Sequence, residues 1–346
     1  MKKSSIFILL LAMLQPAFAA GKQAAASSKD KAKKCIVLET SDLYNYDWAT
    51  AAPNMGFNTI STGTDVLQPT IFLRERAGKL FLRDCKARGI EVEHQLHAID
   101  DLLPRTLFTQ DSTMFRMDKD GRRRADYNLC YTSPAAQAII AKRVVRYAKQ
   151  TPSTDHRYYF WLDEGADGCH CPECSKYTRS ELNLMITNVI AKALRAKYDP
   201  EAMVAHLAYY NTYEAPRQVK PAEGVFLEFS SYLRSWAQPL KCDTATARFG
   251  YTNGKILQYL KDNLEVFPAS TAEVIEYWID AAYQSNYRYP YRSIIWMPKI
   301  IKQDVKTYNK LGIHRFNCFA AGMDSTYFQQ HPVVKEQLKQ FAKMLK

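Results

Sequence analysis

The densest chemistry in the sequence lies between residues 158 and 174. An apolar, aromatic run, Tyr158-Tyr159-Phe160-Trp161-Leu162, leads straight into two carboxylates, Asp163 and Glu164, and then Gly165. Neighbouring carboxylates repel when both are ionised, so the pair divides into an acid and a base near neutral pH. A glycosidic bond needs that division: a proton for the leaving oxygen and a carboxylate for the positive charge developing on the sugar. Successive side chains of a strand point to opposite faces. Both acids reach one substrate only if the strand ends between them, which Gly165 and Gly168 allow. A helix-capping Asp beside a solvated Glu is the plain alternative.

A thiol cluster, Cys169-His170-Cys171-Pro172-Glu173-Cys174, follows at once. Its three cysteines suit tetrahedral zinc. Cys242, in a long loop further on, is the expected fourth ligand, with His170 competing. In an oxidising compartment the same four thiols form two disulfides instead, one through Cys242. Either way the cluster reads as a structural zinc or a pair of disulfides stapling a loop, because catalytic zinc keeps an open position and favours histidine-rich ligation. The acid pair itself requires no cofactor. Cys35, Cys85, Cys130 and Cys318 stand in apolar contexts and read as small core residues.

Something must carry the acids to a shared surface. Short β-branched or aromatic runs at 35–39, 58–61, 90–96, 158–162, 203–209, 225–229, 274–279 and 315–320 alternate with helical patterns. Parallel strands need a covering helix in each crossover, and eight of them close a barrel. The expected fold is therefore α/β, a single-domain (β/α)8 TIM barrel over residues 35–346. Helical spacing is clear over 133–149, 180–198, 298–311 and 333–345, with Gly89 and Gly312 placed as C-terminal caps. The stretches 100–126 and 230–248 lack periodicity and read as long loops. Active sites of such barrels are built from the loops after the strands.

That rim offers further candidates. Sugar rings stack on aromatic faces while polar groups fix their hydroxyls. Tyr209, Tyr277 and Trp278 lie at predicted strand ends, with Trp296 in a following loop. Glu39 and Asp280 are rim carboxylates, and either can serve as the second acid of a retaining or inverting pair. His94 and His97 end the third strand, where a hydrogen-bonded structural role competes with substrate binding.

Residues 127–221 resemble the bacterial family called domain of unknown function 4838. The likeness is carried by Asn128-Leu129-Cys130-Tyr131-Thr132-Ser133-Pro134, by Asp163-Glu164 with the cysteine cluster, and by Leu207-Ala208-Tyr209-Tyr210 with Pro216 and Val219-Lys220-Pro221. Tyr277-Trp278-Ile279-Asp280 is a looser match. The family is similar to glycoside hydrolase family 20 and to α-glucuronidases, and the resemblance implies a barrel acting on carbohydrate. In the family 20 pattern the Glu of an adjacent Asp-Glu pair is the general acid, and the Asp steadies the substrate's own acetamido nucleophile. By position these are Glu164 and Asp163. The His-x-Gly-Gly lead-in of that pattern is replaced here by Phe160-Trp161-Leu162, and the chain has no room for the β-rich domain that often precedes such barrels.

The N-terminus reads as a signal peptide over residues 1–19: Lys2 and Lys3, an apolar run from Ile6 to Leu14, then Ala17-Phe18-Ala19. Residues 20–34 read as a disordered lead-in. Export to the periplasm or medium follows, with no stable membrane insertion after cleavage, because the apolar run is too short to span a bilayer. The formal charge of +12 comes from dispersed residues, apart from Arg122-Arg123-Arg124 and the lead-in lysines. It reads as solubility first and an acidic glycan second, and nucleic acid is not the expected partner of an exported protein. The sequence has no Gly-rich phosphate loop, Gly-x-Ser-x-Gly elbow or His-Glu-x-x-His, which argues against nucleotide binding, α/β-hydrolase esterases and the common zinc peptidases. Three readings remain: a glycosidase acting on oligosaccharide or polysaccharide, a non-catalytic carbohydrate-binding barrel, and a metal-dependent enzyme built on Cys169, Cys171, Cys174 and Cys242.

Overall fold

Each of the eight apolar runs forms a strand, and each pairs in parallel with the next around a closed ring. In the computed structural model, which describes residues 32–163 and 167–346, they are β1 (Lys33–Glu39), β2 (Thr59–Thr64), β3 (Glu91–His97), β4 (Arg157–Trp161), β5 (Met203–Ala208), β6 (Val225–Ser230), β7 (Glu273–Glu276) and β8 (Arg315–Phe319). The architecture is the expected (β/α)8 barrel. Residues 1–31, which hold the proposed signal peptide and most of the lead-in, and Glu164 to Ala166 lie outside the described residues.

The covering helices start and stop where local chemistry directs. The helix Pro134–Gln150 begins with Pro at its first position, and the Ser133 hydroxyl accepts the Ala136 N–H. The helix Arg179–Lys197 opens on a capping box between Thr178 and Glu181. Glu181 also accepts the N–H groups of Arg217 and Gln218, tying the loop after β5 to this helix. Gly312 follows the helix Pro298–Lys310 with φ of 82°, a left-handed conformation that favours glycine. Among the described residues no helix is long and apolar enough to cross a membrane.

Two apolar cores result. The larger lies between barrel and helices, and a smaller one fills the barrel with Cys35, Val37, Tyr159, Trp161, Phe226 and Ile275 among its members. Beneath the smaller core, the barrel floor is charged. Lys33 Nζ lies 2.6 Å from Glu93 Oε2 and 2.8 Å from Glu273 Oε2, and donates also to the Tyr159 hydroxyl. Arg157 and Arg315 each reach Glu273 Oε1 at 2.8 Å. Burial alone would discharge Lys33, but Glu273 and Glu93 outweigh it and hold the ammonium above its ordinary value. Lys33 and Lys34 thus belong to β1, which corrects the boundary that put them in the lead-in. A lysine in an Ala/Ser/Lys-rich segment reads as solvated, and nothing local reveals carboxylates that come from strands distant in sequence.

Above the floor, Asn317 Nδ2 bridges Glu273 and Glu228 at 2.9 Å each, and Trp161 Nε1 donates to Glu228 at 2.9 Å. A polar thread therefore runs from the floor to the wall of the rim pocket.

Buried acids give the protein a stability profile of definite sign. Burial, with help from Glu39, raises Asp42 from 3.8 to about 8. Burial likewise takes Glu228 to about 8, Glu276 to about 7 and Asp280 to about 7. Over this window the folded chain keeps protons that the unfolded chain has already released, so stability falls as pH rises. Groups held low, such as Asp199 and Glu181, lose their contribution only on acidification below that window. The melting temperature is therefore expected to be higher at about pH 5 than at about pH 8. Scanning fluorimetry across that range checks it, and a melting temperature that climbs toward pH 8 would contradict the assignment.

Candidate active site at the barrel rim

Strand alternation decides what reaches the rim. The inward series on β1 is Cys35, Val37 and then Glu39; on β3 it is Glu93, Gln95 and then His97; on β5 it is Ala205, Leu207 and then Tyr209. β8 ends on Phe319, and past the strand ends β7 delivers Tyr277 and β8 delivers Ala321. Glu39, His97, Leu207, Tyr209, Tyr277, Phe319 and Ala321 wall one cavity of about 310 Å³ at the C-terminal face, together with Gly63, Trp161, Ser230, Tyr232 and Asp280. Its walls are largely aromatic. Tyr277 stacks on Phe319 at 5.1 Å, and Tyr232 packs edge-on against Tyr277 at 5.2 Å and tilted against Tyr209 at 5.4 Å.

The polar groups are few and fixed. His97 Nδ1 lies 2.6 Å from the Leu162 carbonyl, and its ring packs against Trp161. Asp280 caps the short helix Ala281–Gln284 by accepting the Tyr283 N–H. Burial raises its carboxyl to about 7 against the pull of the Tyr283 and Ala282 N–H groups. Glu39 is exposed at the mouth. An aromatic box with carboxyls and an imidazole on its edge can seat a sugar ring and hold its hydroxyls.

Asp163 lies in an adjoining small cavity that shares His97, Leu207 and Tyr209 with the larger one. Its Oδ2 accepts the Asn128 N–H at 2.5 Å and sits 2.6 Å from Arg105 Nη2. Burial pushes this carboxyl up, while the Asn128 N–H and the Arg105 guanidinium hold it down. Asp163 neither caps a helix nor faces open solvent. At Gly168 a Cβ would fall 1.4 Å from Arg179 Nη1, so a side chain there would require that guanidinium to move. Glu164 itself is outside the described residues.

The structure thus brings Glu39, His97, Tyr209, Tyr277 and Asp280 around one cavity, with Asp163 next to it. Trp278 is a correction. Its neighbour Tyr277 takes the inward position, so Trp278 points outward, fully buried against Tyr308 and Phe341, with Nε1 donating to Asp304. Tyr232 and Arg105 carry no signal in the sequence, and Trp161 and Asn128 stand there only as members of the aromatic run and of the family-like stretch 128–134. Trp161 is available by parity, being two residues before Asp163, whereas Arg105 comes from an aperiodic loop and Asn128 from just beyond it, with no signal of their partner.

Cys242 is a second correction. The thiols within 4.8 Å of one another are those of Cys130, Cys169, Cys171 and Cys174, a group able to hold a metal ion. Cys242 lies apart, partly buried in the loop after β6. Barrel neighbours explain this: the loop after β4 lies beside those of β3 and β5, and Cys130 is on the loop that leaves β3. Among the described residues no disulfide forms.

Residues 66–341 match the family model described as Domain of unknown function (DUF4838). No curated protein matches the sequence. Among solved structures, the chain is similar to a β-galactosidase from the psychrophilic Marinomonas ef1, with a TM-score of 0.54 and 10% identity over 90% of this chain and 59% of that one. It is also similar to a glycoside hydrolase family 5 enzyme from Prevotella bryantii B14, with a TM-score of 0.50 and 13% identity over 86% of each chain. A GH20 module of the pneumococcal exo-β-D-N-acetylglucosaminidase StrH aligns at a TM-score of 0.48 and 11% identity, over 91% of this chain and 83% of that one.

Proposed function

The chain belongs to the DUF4838 family, and from that premise we propose that it is an exported glycoside hydrolase, periplasmic or secreted, that cleaves oligosaccharides with Glu164 and Asp163. One observation carries the reading. The inward positions of the barrel strands end in a single aromatic-walled cavity, and the carboxyl group of Asp163 stands in the cavity beside it.

In this account a sugar ring stacks on Tyr209 and Tyr277, while Asp280, His97 and Glu39 hold its hydroxyls. Glu164 gives its proton to the glycosidic oxygen as the bond from that oxygen to the anomeric carbon breaks. Asp163, held by Arg105 and Asn128, faces the positive charge that develops. Water then adds to the anomeric carbon and returns a proton to Glu164. The cysteine cluster takes no part in cleavage: four thiolates complete a zinc shell and leave no position for water. No metal or organic cofactor enters the chemistry, and the cluster's place is that of a structural zinc.

Glycan-array binding combined with product analysis tests the proposal. Wild-type protein is expected to bind oligosaccharides and to release shorter ones with new reducing ends. Binding with no product from any bound glycan would replace the hydrolase by a carbohydrate-binding barrel, which the same aromatic cavity suits.

A further inference from the structure

We propose that Cys130, Cys169, Cys171 and Cys174 hold one tetrahedral zinc-type cation, and that this ion clamps the loop after β3 to the loop after β4. The first part stands apart from the hydrolase reading, and the second gives that reading a device for fixing Asp163.

The sulfur geometry is that of a single ion. Cys130 Sγ lies 3.7 Å from Cys171 Sγ and 3.9 Å from Cys174 Sγ, and the four sulfurs all fall within 4.8 Å of one another. A tetrahedron with zinc–sulfur bonds of about 2.3 Å has edges of about 3.8 Å. All four cysteines are buried, which protects a thiolate site from competing water. Cys130 stands equally close to two partners, so no disulfide pairing is singled out.

The surroundings suit thiolates. The Met117 N–H donates to Cys169 Sγ at 3.3 Å, and the Cys174 N–H donates to Cys171 Sγ at 3.4 Å. The Thr132 hydroxyl lies 3.3 Å from Cys174 Sγ, and Arg123 Nη1 lies 3.9 Å from Cys169 Sγ. Four thiolates around a dication carry two net negative charges. Amide donors and a nearby guanidinium are what offset such charge in an outer shell.

The clamp follows from which chain segments meet. Asn128 stands two residues before Cys130, with a left-handed φ of 48°. Its N–H donates to Asp163 Oδ2 at 2.5 Å, and its side-chain carbonyl accepts the Asp163 N–H at 3.1 Å. Asp163 and Glu164 in turn precede Cys169 by one short segment. An ion joining Cys130 to Cys169, Cys171 and Cys174 therefore closes a loop through Asn128 and Asp163. Asp163, at the end of β4, is then held from both sides.

Elemental analysis of the purified full chain is expected to find one zinc per molecule, and cobalt substitution to give the intense visible bands of tetrahedral thiolate ligation. Cys130→Ser is expected to lose the metal, while Cys242→Ser keeps it. Removing the ion with a chelator should speed amide exchange at 128–130 and 161–169 and leave the floor strands β1 and β7 protected. A metal-free protein carrying two disulfides overturns the site, as does a metal lost with Cys242→Ser and kept with Cys130→Ser. Exchange unchanged in both loops overturns the clamp. None of these readouts depends on catalysis, so failure of the hydrolase reading is told apart from failure of this one.

Discussion

Glu164→Gln is expected to lower turnover by about 10²–10⁴-fold while glycan affinity changes little, which is the span lost when a positioned general acid goes. Glutamine keeps the volume and polarity of glutamate, so the fold has no reason to change. It removes the one transferable proton that the leaving oxygen needs. Asp163 is placed for a different duty: its Oδ2 accepts from a guanidinium at 2.6 Å and a backbone N–H at 2.5 Å. The loss should therefore appear in kcat, with KM altered far less, as follows when an interaction made only in the transition state is removed. Steady-state kinetics on whichever oligosaccharide the wild type cleaves measures it. Full activity in the variant would strip Glu164 of the role.

The second large effect is structural. Lys33→Met should destabilise the protein by about 3–5 kcal/mol, the range seen when one partner of a buried ion pair is removed. Lys33 is 3% exposed and is a donor to Glu93, Tyr159 and Glu273. Glu273 retains Arg157 and Arg315 after the change, but Glu93 is left without its cation. Burial and the neighbouring Asp155 and Glu273 already push the Glu93 carboxyl far up, so it can answer by taking a proton. The penalty should consequently be smaller in acid than at neutral pH. Urea unfolding at two pH values reads both points. A loss of under about 1 kcal/mol at neutral pH, typical of an ordinary surface change, would show that the floor does not depend on this lysine.

The order of elements was legible because hydrophobic period is a local property. Each of the eight runs forms a strand, and the ends shift by at most three residues, the largest shifts being at the C-terminal ends of β2 and β7. Parity along a strand is also local, and it accounts for Glu39, His97, Tyr209 and Tyr277 meeting at one cavity. The same rule, applied to Tyr277 and Trp278 together, forbids both from facing inward, and it is Tyr277 that does. What stayed hidden came from distant pairing. Lys33 looks like a solvated tail residue until Glu93 and Glu273 arrive from other strands. Cys130 looks like a core thiol until the loop after β3 is laid beside the loop after β4. Cys242 drew attention through an irregular loop, yet that loop leaves β6, two strands away on the barrel. Arg105, in the aperiodic stretch, and Asn128, just beyond it, hold Asp163 with no spacing to announce the partner.

Cleavage in water enriched with heavy oxygen tests the central claim most directly. Wild-type protein and Glu164→Gln are incubated with the same bound oligosaccharide, and the products are weighed by mass spectrometry. The account predicts one heavy oxygen at each new reducing end with the wild type, and intact glycan with the variant. Intact glycan in both samples, or equal labelled product in both, would contradict it.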